Sequence, residues 1–200
     1  MKQEDLPSLI KRVHDNAVKH GWHDQKRSEE HWLMMIVTEI AELVEADRKH
    51  RYAKPFVIGI YQSNQKIYTE FGECGEEQFQ RFFEAYIKDT VQDELADVCI
   101  RIFDMFGELD YKPNNLCFLD FSVEPNHYFA KESITEQCYT ILKELFTYSQ
   151  EFHTTAENLV FCLCRCREFA CAHNIDLDWH IEQKMRYNEL RPYKHGGKEY

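Results

Sequence analysis

Two acid-x-x-acid pairs carry the chemistry that this sequence offers, Glu39-Ile40-Ala41-Glu42 and Glu94-Leu95-Ala96-Asp97. On an α-helix, residues three apart lie about 60° apart in rotation and one turn along, so both carboxylates of a pair can reach one cation. Four carboxylates with no His or Cys among them are a hard donor set, which selects Mg²⁺, with Mn²⁺ as a substitute, over zinc. Such a site keeps open positions for water and phosphate oxygens and so suits phosphoanhydride hydrolysis by a metal-activated water. The chain has 35 Asp and Glu in 200 residues. At that density about six acid-x-x-acid pairs arise by chance, so a single pair carries little information.

Register carries more. Leu33, Ile36, Val37, Ile40, Leu43 and Val44 form one apolar stripe at helical spacing, and Val91, Leu95, Val98, Cys99, Ile102 and Phe106 form another. The first acid of each pair immediately precedes the central residue of its stripe. Glu39 and Glu94 therefore flank their apolar faces at the same angle, with Glu42 and Asp97 one step further out. Packing the stripes together aligns all four acids along one edge, where they repel one another unless a cation compensates. Glu45 and Asp47 read as surface charges, with Glu45 placed to extend the row.

The elements that must position these acids are helical. Only seven glycines and five prolines interrupt the chain, and the apolar spacing has the helical period. The expected architecture is all-α, an antiparallel helical bundle with a four-helix core, forming a single domain over 1–200. A first helix is predicted from near Pro7 to Gly21, and a second from Ser28, as N-cap, to about Arg51. Pro55, Gly59, Gly72 and Gly75 mark an irregular insertion over about 53–75, in which Phe56-Val57-Ile58-Gly59-Ile60-Tyr61 is a β-like run. One long helix is predicted from Glu76 to Phe106. A second irregular insertion, over about 108–131, carries Pro113, Asn114, Asn115 and Pro125. Ser133-Ile134-Thr135-Glu136 and Thr154-Thr155-Ala156-Glu157 are capping boxes that open helices to about Tyr148 and His173. A last helix from about Asp178 ends before Pro192.

Composition excludes several functions. A net charge of −11 provides no basic face for nucleic acid. No apolar run reaches the roughly 18 residues of a membrane span, and Met1-Lys2-Gln3-Glu4-Asp5 lacks the apolar core of a signal peptide. A soluble, cytoplasmic protein is expected. The eight cysteines then read as reduced, small core residues. In Cys162-Leu163-Cys164-Arg165-Cys166 only the outer two share a helix face. The ten histidines form no HxxxH pair, and Pro125 breaks the lone ExxH, Glu124 to His127.

The two acidic pairs resemble the metal-binding signature of the MazG-like superfamily of all-α nucleoside triphosphate pyrophosphohydrolases. Gly21-Trp22-His23-Asp24-Gln25-Lys26-Arg27-Ser28 resembles the lead-in of those proteins. The segment from Lys184 through Asn188, Arg191, Pro192, Lys194, His195, Gly196 and Gly197 to Lys198 resembles their Lys-x-x-x-Asn-x-x-Arg-Pro ending and His-Gly-Gly-Lys tail. These segments cover about a third of the chain. One departure is the 51 residues between Glu42 and Glu94, where the family has a short connection.

The resemblance implies Mg²⁺ bound by Glu39, Glu42, Glu94 and Asp97, with a glutamate, Glu39 or Glu42, also orienting the attacking water. It implies hydrolysis between the α and β phosphates of a nucleoside or deoxynucleoside triphosphate, giving monophosphate and pyrophosphate. The chain would be a homodimer or higher homo-oligomer. Lys184 and Asn188 match the residues near substrate and lie four apart on one helix face. Arg191, Lys194 and Lys198 add to that anion site. Trp22 and Trp32 are both candidates to stack on a base, although Trp32, set among apolar residues, reads as core. The alternatives are a non-catalytic nucleotide-binding or regulatory bundle and a related hydrolase acting on a phosphoribosyl-ATP-type pyrophosphate.

Overall fold

The computed structural model describes residues 6–71, 75–111, 129–146, 154–197 and 199, with the side chains of 64–71 outside the description. In chain order the helices are α1 (Leu6–Lys19), α2 (Glu29–Arg48), α3 (Pro55–Phe71), α4 (Glu76–Tyr86), α5 (Val91–Glu108), α6 (Ile134–Glu144), α7 (Thr155–Ala172) and α8 (Leu177–Glu189). A 3-10 turn at Phe129–Lys131 precedes α6, and a turn at Lys194–Gly197 follows α8. No strand occurs among the described residues.

Caps set most of the helix starts. Ser28, Thr90, Ser133, Thr154 and Asp176 each accept a hydrogen bond from the backbone N–H three residues on. This satisfies one of the donors that a helix N-terminus leaves open. At Ser133 and Thr154 the reciprocal bond from Glu136 or Glu157 is also made, so both predicted capping boxes are present.

Two expectations are corrected. The segment predicted as irregular over 53–75, β-like from Phe56 to Tyr61, is helical over Pro55–Phe71. Pro55 suits the first helical position, and the Tyr61 ring stacks on Phe82 of α4 at 3.8 Å. A short apolar run is ambiguous between strand and helix, and here the packing partner is a helix. The predicted continuous helix over 76–106 is instead two helices. Asp89 takes a positive φ of 61°, and Thr90 caps α5 anew. Of the second insertion, residues 112–128 lie outside the described residues.

Helix α5 is the hub, packed on α1, α2, α7 and α8, while α6 joins α2 and α7. Its buried residues occur all round the helix and include Leu95, Val98, Cys99, Ile102, Phe103 and Phe106, as expected of a helix enclosed by others. A second cluster, Tyr61, Phe79, Phe83, Ile87 and Tyr187, ties α3 and α4 to α8. Each fully buried phenylalanine there contributes about 1.5–3 kcal/mol. Cys99, Cys138, Cys162 and Cys166 are buried and free, and Cys164 between the last two is half-buried. The alternation is the one a helix imposes on that run. No helix of the described residues is long and apolar enough to cross a membrane.

Candidate functional site

Packing of the α2 and α5 stripes, with Ile36, Ile40 and Leu43 against Leu95, Val98 and Ile102 all buried, brings their flanking acids together. One carboxylate oxygen from each of Glu39, Glu94 and Asp97 lies within 4.8 Å of the others. Glu42 is exposed and lines the same cavity, beside that trio. The cavity has a volume of about 170 Å³, and Trp22, Arg101, Lys184, Asn188 and Arg191 also line it.

Two cations partly compensate the acids. Arg101 Nε donates to Glu39 Oε1 at 2.9 Å. Lys184 Nζ, buried on α8, lies 2.9 Å from Asp93 Oδ2 and 2.6 Å from Asp97 Oδ2. Burial opposes the ammonium charge, but Asp93 and Asp97 outweigh it and hold Lys184 above its ordinary pKa. Burial pushes Asp93 up to about 6 despite Lys184. It also raises Glu39, against the attraction of Arg101. Glu94 makes no ion pair among the described residues. Burial, reinforced by the charges of Asp97 and Asp93, pushes its carboxyl up to about 9. An acid cluster that cannot ionise fully by itself is the electrostatic setting in which a divalent cation gains most.

The C-terminal segment closes the other side of the cavity. Asn188 lies one turn beyond Lys184, and its buried Oδ1 has no hydrogen-bond partner among the described residues. Leaving such a group unpaired costs about 1–3 kcal/mol, a cost that a ligand in the cavity would remove. His20 Nε2 bonds the Arg191 carbonyl at 2.9 Å, and Lys194 N donates to the His20 carbonyl at 3.0 Å. The Tyr193 ring sits where a side chain on Gly21 would project, 2.4 Å from an ideal Cβ, and Gly21 has φ 81°. Tyr193 Oη bonds Asp24. The two sequence segments flanking the acidic pairs thus pack on each other, with Trp22 edge-on to His195 at 4.9 Å.

Of the residues singled out in the sequence, Glu39, Glu42, Glu94, Asp97, Lys184, Asn188, Arg191 and Trp22 converge on this cavity. Lys184 does so as the ion-pair partner of Asp97. Trp32 is core, stacked on His23 at 4.7 Å. Lys198 and the Glu124 to His127 pair lie outside the described residues. Asp93, Arg101 and Asp104 were missed. Thr90-x-x-Asp93 is itself a cap signature preceding an apolar run, but it is hidden when 76–106 is read as one helix. Arg101 lies seven residues, two turns, beyond Glu94 and so on nearly the same face.

Comparison with protein-family models, with curated proteins and with solved structures found no match to this chain.

Proposed function

We propose that this chain is a Mg²⁺-dependent nucleoside triphosphate pyrophosphohydrolase, which cleaves between the α and β phosphates to give monophosphate and pyrophosphate. The observation that carries the reading is the trio Glu39, Glu94 and Asp97, with oxygens within 4.8 Å in a cavity that Glu42, Lys184, Asn188 and Arg191 also line. The all-oxygen donor set, with a Glu94 that makes no ion pair among the described residues, fits a hard divalent cation. Mn²⁺ fits the same donors.

When bound, such an ion supplies charge to the phosphate oxygens and acidifies a coordinated water. The chain's own residues do the rest. Glu39, Glu94 and Asp97 hold the ion, and exposed Glu42, at the solvent side, orients the water and accepts its proton. Lys184 and Arg191 attract the polyphosphate in a protein that is otherwise acidic. Asn188 offers its unpaired Oδ1 as acceptor to a hydroxyl or N–H of the substrate, and Trp22 a ring to stack on the base. A homo-oligomer belongs to this reading: Phe56, 78% exposed, with Ile60 and Tyr86, presents apolar surface on α3 and α4 that a second copy would cover. A cytoplasmic setting belongs to it too.

Incubation with a panel of NTPs and dNTPs plus Mg²⁺ is expected to release monophosphate and pyrophosphate. Release of diphosphate and orthophosphate would refute the assigned bond. A second reading, a non-catalytic nucleotide-binding bundle, draws on the Lys184–Asp97 and Arg101–Glu39 pairs, which occupy two of the three acids with internal cations. Tight calorimetric binding of a non-hydrolysable dNTP, together with no turnover in the panel, would favour it. The same panel extended to phosphoribosyl-ATP tests the third.

A further inference from the structure

Beside the carboxylate trio, two turns beyond Asp97 along α5, sits a second constellation of different chemistry. His14 of α1, His23 of the α1–α2 connection and Asp104 of α5 each place one ligand atom within 4.8 Å of the others. His14 Nδ1 is 2.9 Å from Asp104 Oδ1, and His23 Nε2 is 2.9 Å from Oδ1 and 3.2 Å from Oδ2. We propose that these three side chains form a binding site for a divalent transition-metal ion of the zinc class, distinct from the Mg²⁺-type trio.

The donor set sets the preference. Imidazole nitrogens favour zinc and its late first-row neighbours, whereas the trio's oxygens favour Mg²⁺. Bonds of about 2.0–2.1 Å around a tetrahedral ion place ligand atoms roughly 3.3 Å apart. The observed nitrogen-to-oxygen separations need widen by only a few tenths of an ångström to reach that spacing.

His23 supplies the second argument. Its Nδ1 lies 3.2 Å from Glu108 Oε2 while its Nε2 faces Asp104. Each ring nitrogen therefore has a carboxylate oxygen close by, hydrogen-bonded at Nε2 and within ion-pair distance at Nδ1. A neutral imidazole has one N–H to donate. In the tautomer that carries its proton on Nδ1, the Nε2 lone pair is left aimed at an acceptor oxygen, a contact that an interposed cation resolves. A carboxylate on the far nitrogen of a ligating histidine is the usual outer support of a zinc ligand.

The rings are also held in place before any ion arrives. Trp32 stacks on His23 at 4.7 Å, and the His14 and His23 rings meet edge-on at 4.6 Å. Gly107, inside α5, leaves the room that the His14 ring fills: an added Cβ would lie 2.4 Å from His14 Cγ. Glycine inside a helix costs about 1 kcal/mol relative to alanine, and here the vacated space seats a proposed ligand. Asp104 lines the acidic cavity, which gives the ion a path from solvent. This inference does not rest on the pyrophosphohydrolase reading.

Co²⁺ titration of the chelator-treated full chain provides the test. One equivalent is expected to give the intense visible absorption of a tetrahedral centre, abolished by equimolar Zn²⁺ and retained in excess Mg²⁺. His14→Gln and His23→Asn should weaken binding at least tenfold, whereas Glu94→Gln should leave the spectrum unchanged. Absence of the tetrahedral band, its survival in His14→Gln, or its loss in Glu94→Gln alone would overturn the proposal. Should the variants fail to fold, imidazole NMR of the unmodified chain decides the matter. One equivalent of Zn²⁺ should shift the ring resonances of two histidines, and an unchanged spectrum refutes the site.

Discussion

Replacing Glu94 by Gln separates stability from metal binding in a single side chain. In the folded chain, burial and the neighbouring Asp97 and Asp93 push the Glu94 carboxyl up to about 9 from an ordinary 4.5. Folding at pH 7 therefore requires Glu94 to take up a proton that the unfolded chain has released. A gap of about 2.5 between pH 7 and the unfolded pKa corresponds to about 3 kcal/mol at 1.36 kcal/mol per pH unit. Solvent in the open cavity reduces this to about 1–2 kcal/mol. Because the folded pKa is the raised one, this cost is absent below pH 4.5, where both states hold the proton, and grows as pH rises until it is complete near 9.

Glutamine mimics the protonated carboxyl at every pH. In chelator, Glu94→Gln is expected to be more stable than the unmodified chain by about 1–2 kcal/mol at pH 7, or about 2–8 °C in Tm for a chain of this size. The advantage should vanish near pH 4.5 and grow toward pH 9. Adding Mg²⁺ reverses the order, since only a chain that binds the ion gains stability from it. Urea unfolding at pH 4.5, 7 and 9, with and without Mg²⁺, measures all of this. A Glu94→Gln chain that is destabilised in chelator, or whose advantage is independent of pH, would refute the electrostatic account of the cluster.

Other perturbations follow from the same geometry. Glu42→Gln should abolish turnover while changing unfolding free energy by less than about 0.5 kcal/mol, because the side chain is exposed; an unaffected rate removes it from the site. Lys184→Met strands the buried Asp93 and should cost about 3–5 kcal/mol. Asp93→Asn in that background should recover part of the loss in urea unfolding, and failure to do so would mean the pair is not the source. Gly107→Ala should lower Tm, because overpacking against the His14 ring at 2.4 Å costs about 1–3 kcal/mol; a rise in Tm would show that the ring yields freely.

The architecture was legible wherever a local rule decided it. Ser28, Ser133 and Thr154 announce their helices because a cap needs only the residue itself and the N–H three positions on. The Glu39 and Glu94 register was legible because a helix fixes the angle between an acid and the adjoining apolar stripe. The same local logic failed over Pro55–Phe71, where Phe56 to Tyr61 suits strand or helix equally and the stacking of Tyr61 on Phe82, 21 residues on, decides. It failed again at Asp89, where the break depends on a hydrogen bond from its N–H to Asp93 Oδ2.

By itself, then, the sequence determined that the chain is helical, where most helices begin, and at what angle Glu39 and Glu94 flank their apolar stripes, because each of these depends on spacings within one turn or one stripe. Only the tertiary structure decided how the acids are balanced. Arg101 and Lys184 reach them from across helix interfaces, Asp93 shares Lys184 with Asp97, and Glu94 makes no ion pair among the described residues. Likewise, no spacing in the sequence joins His14 and His23 to Asp104, 81 to 90 residues away. Charge balance depends on distances through space, and those are set by which helix faces pack against one another.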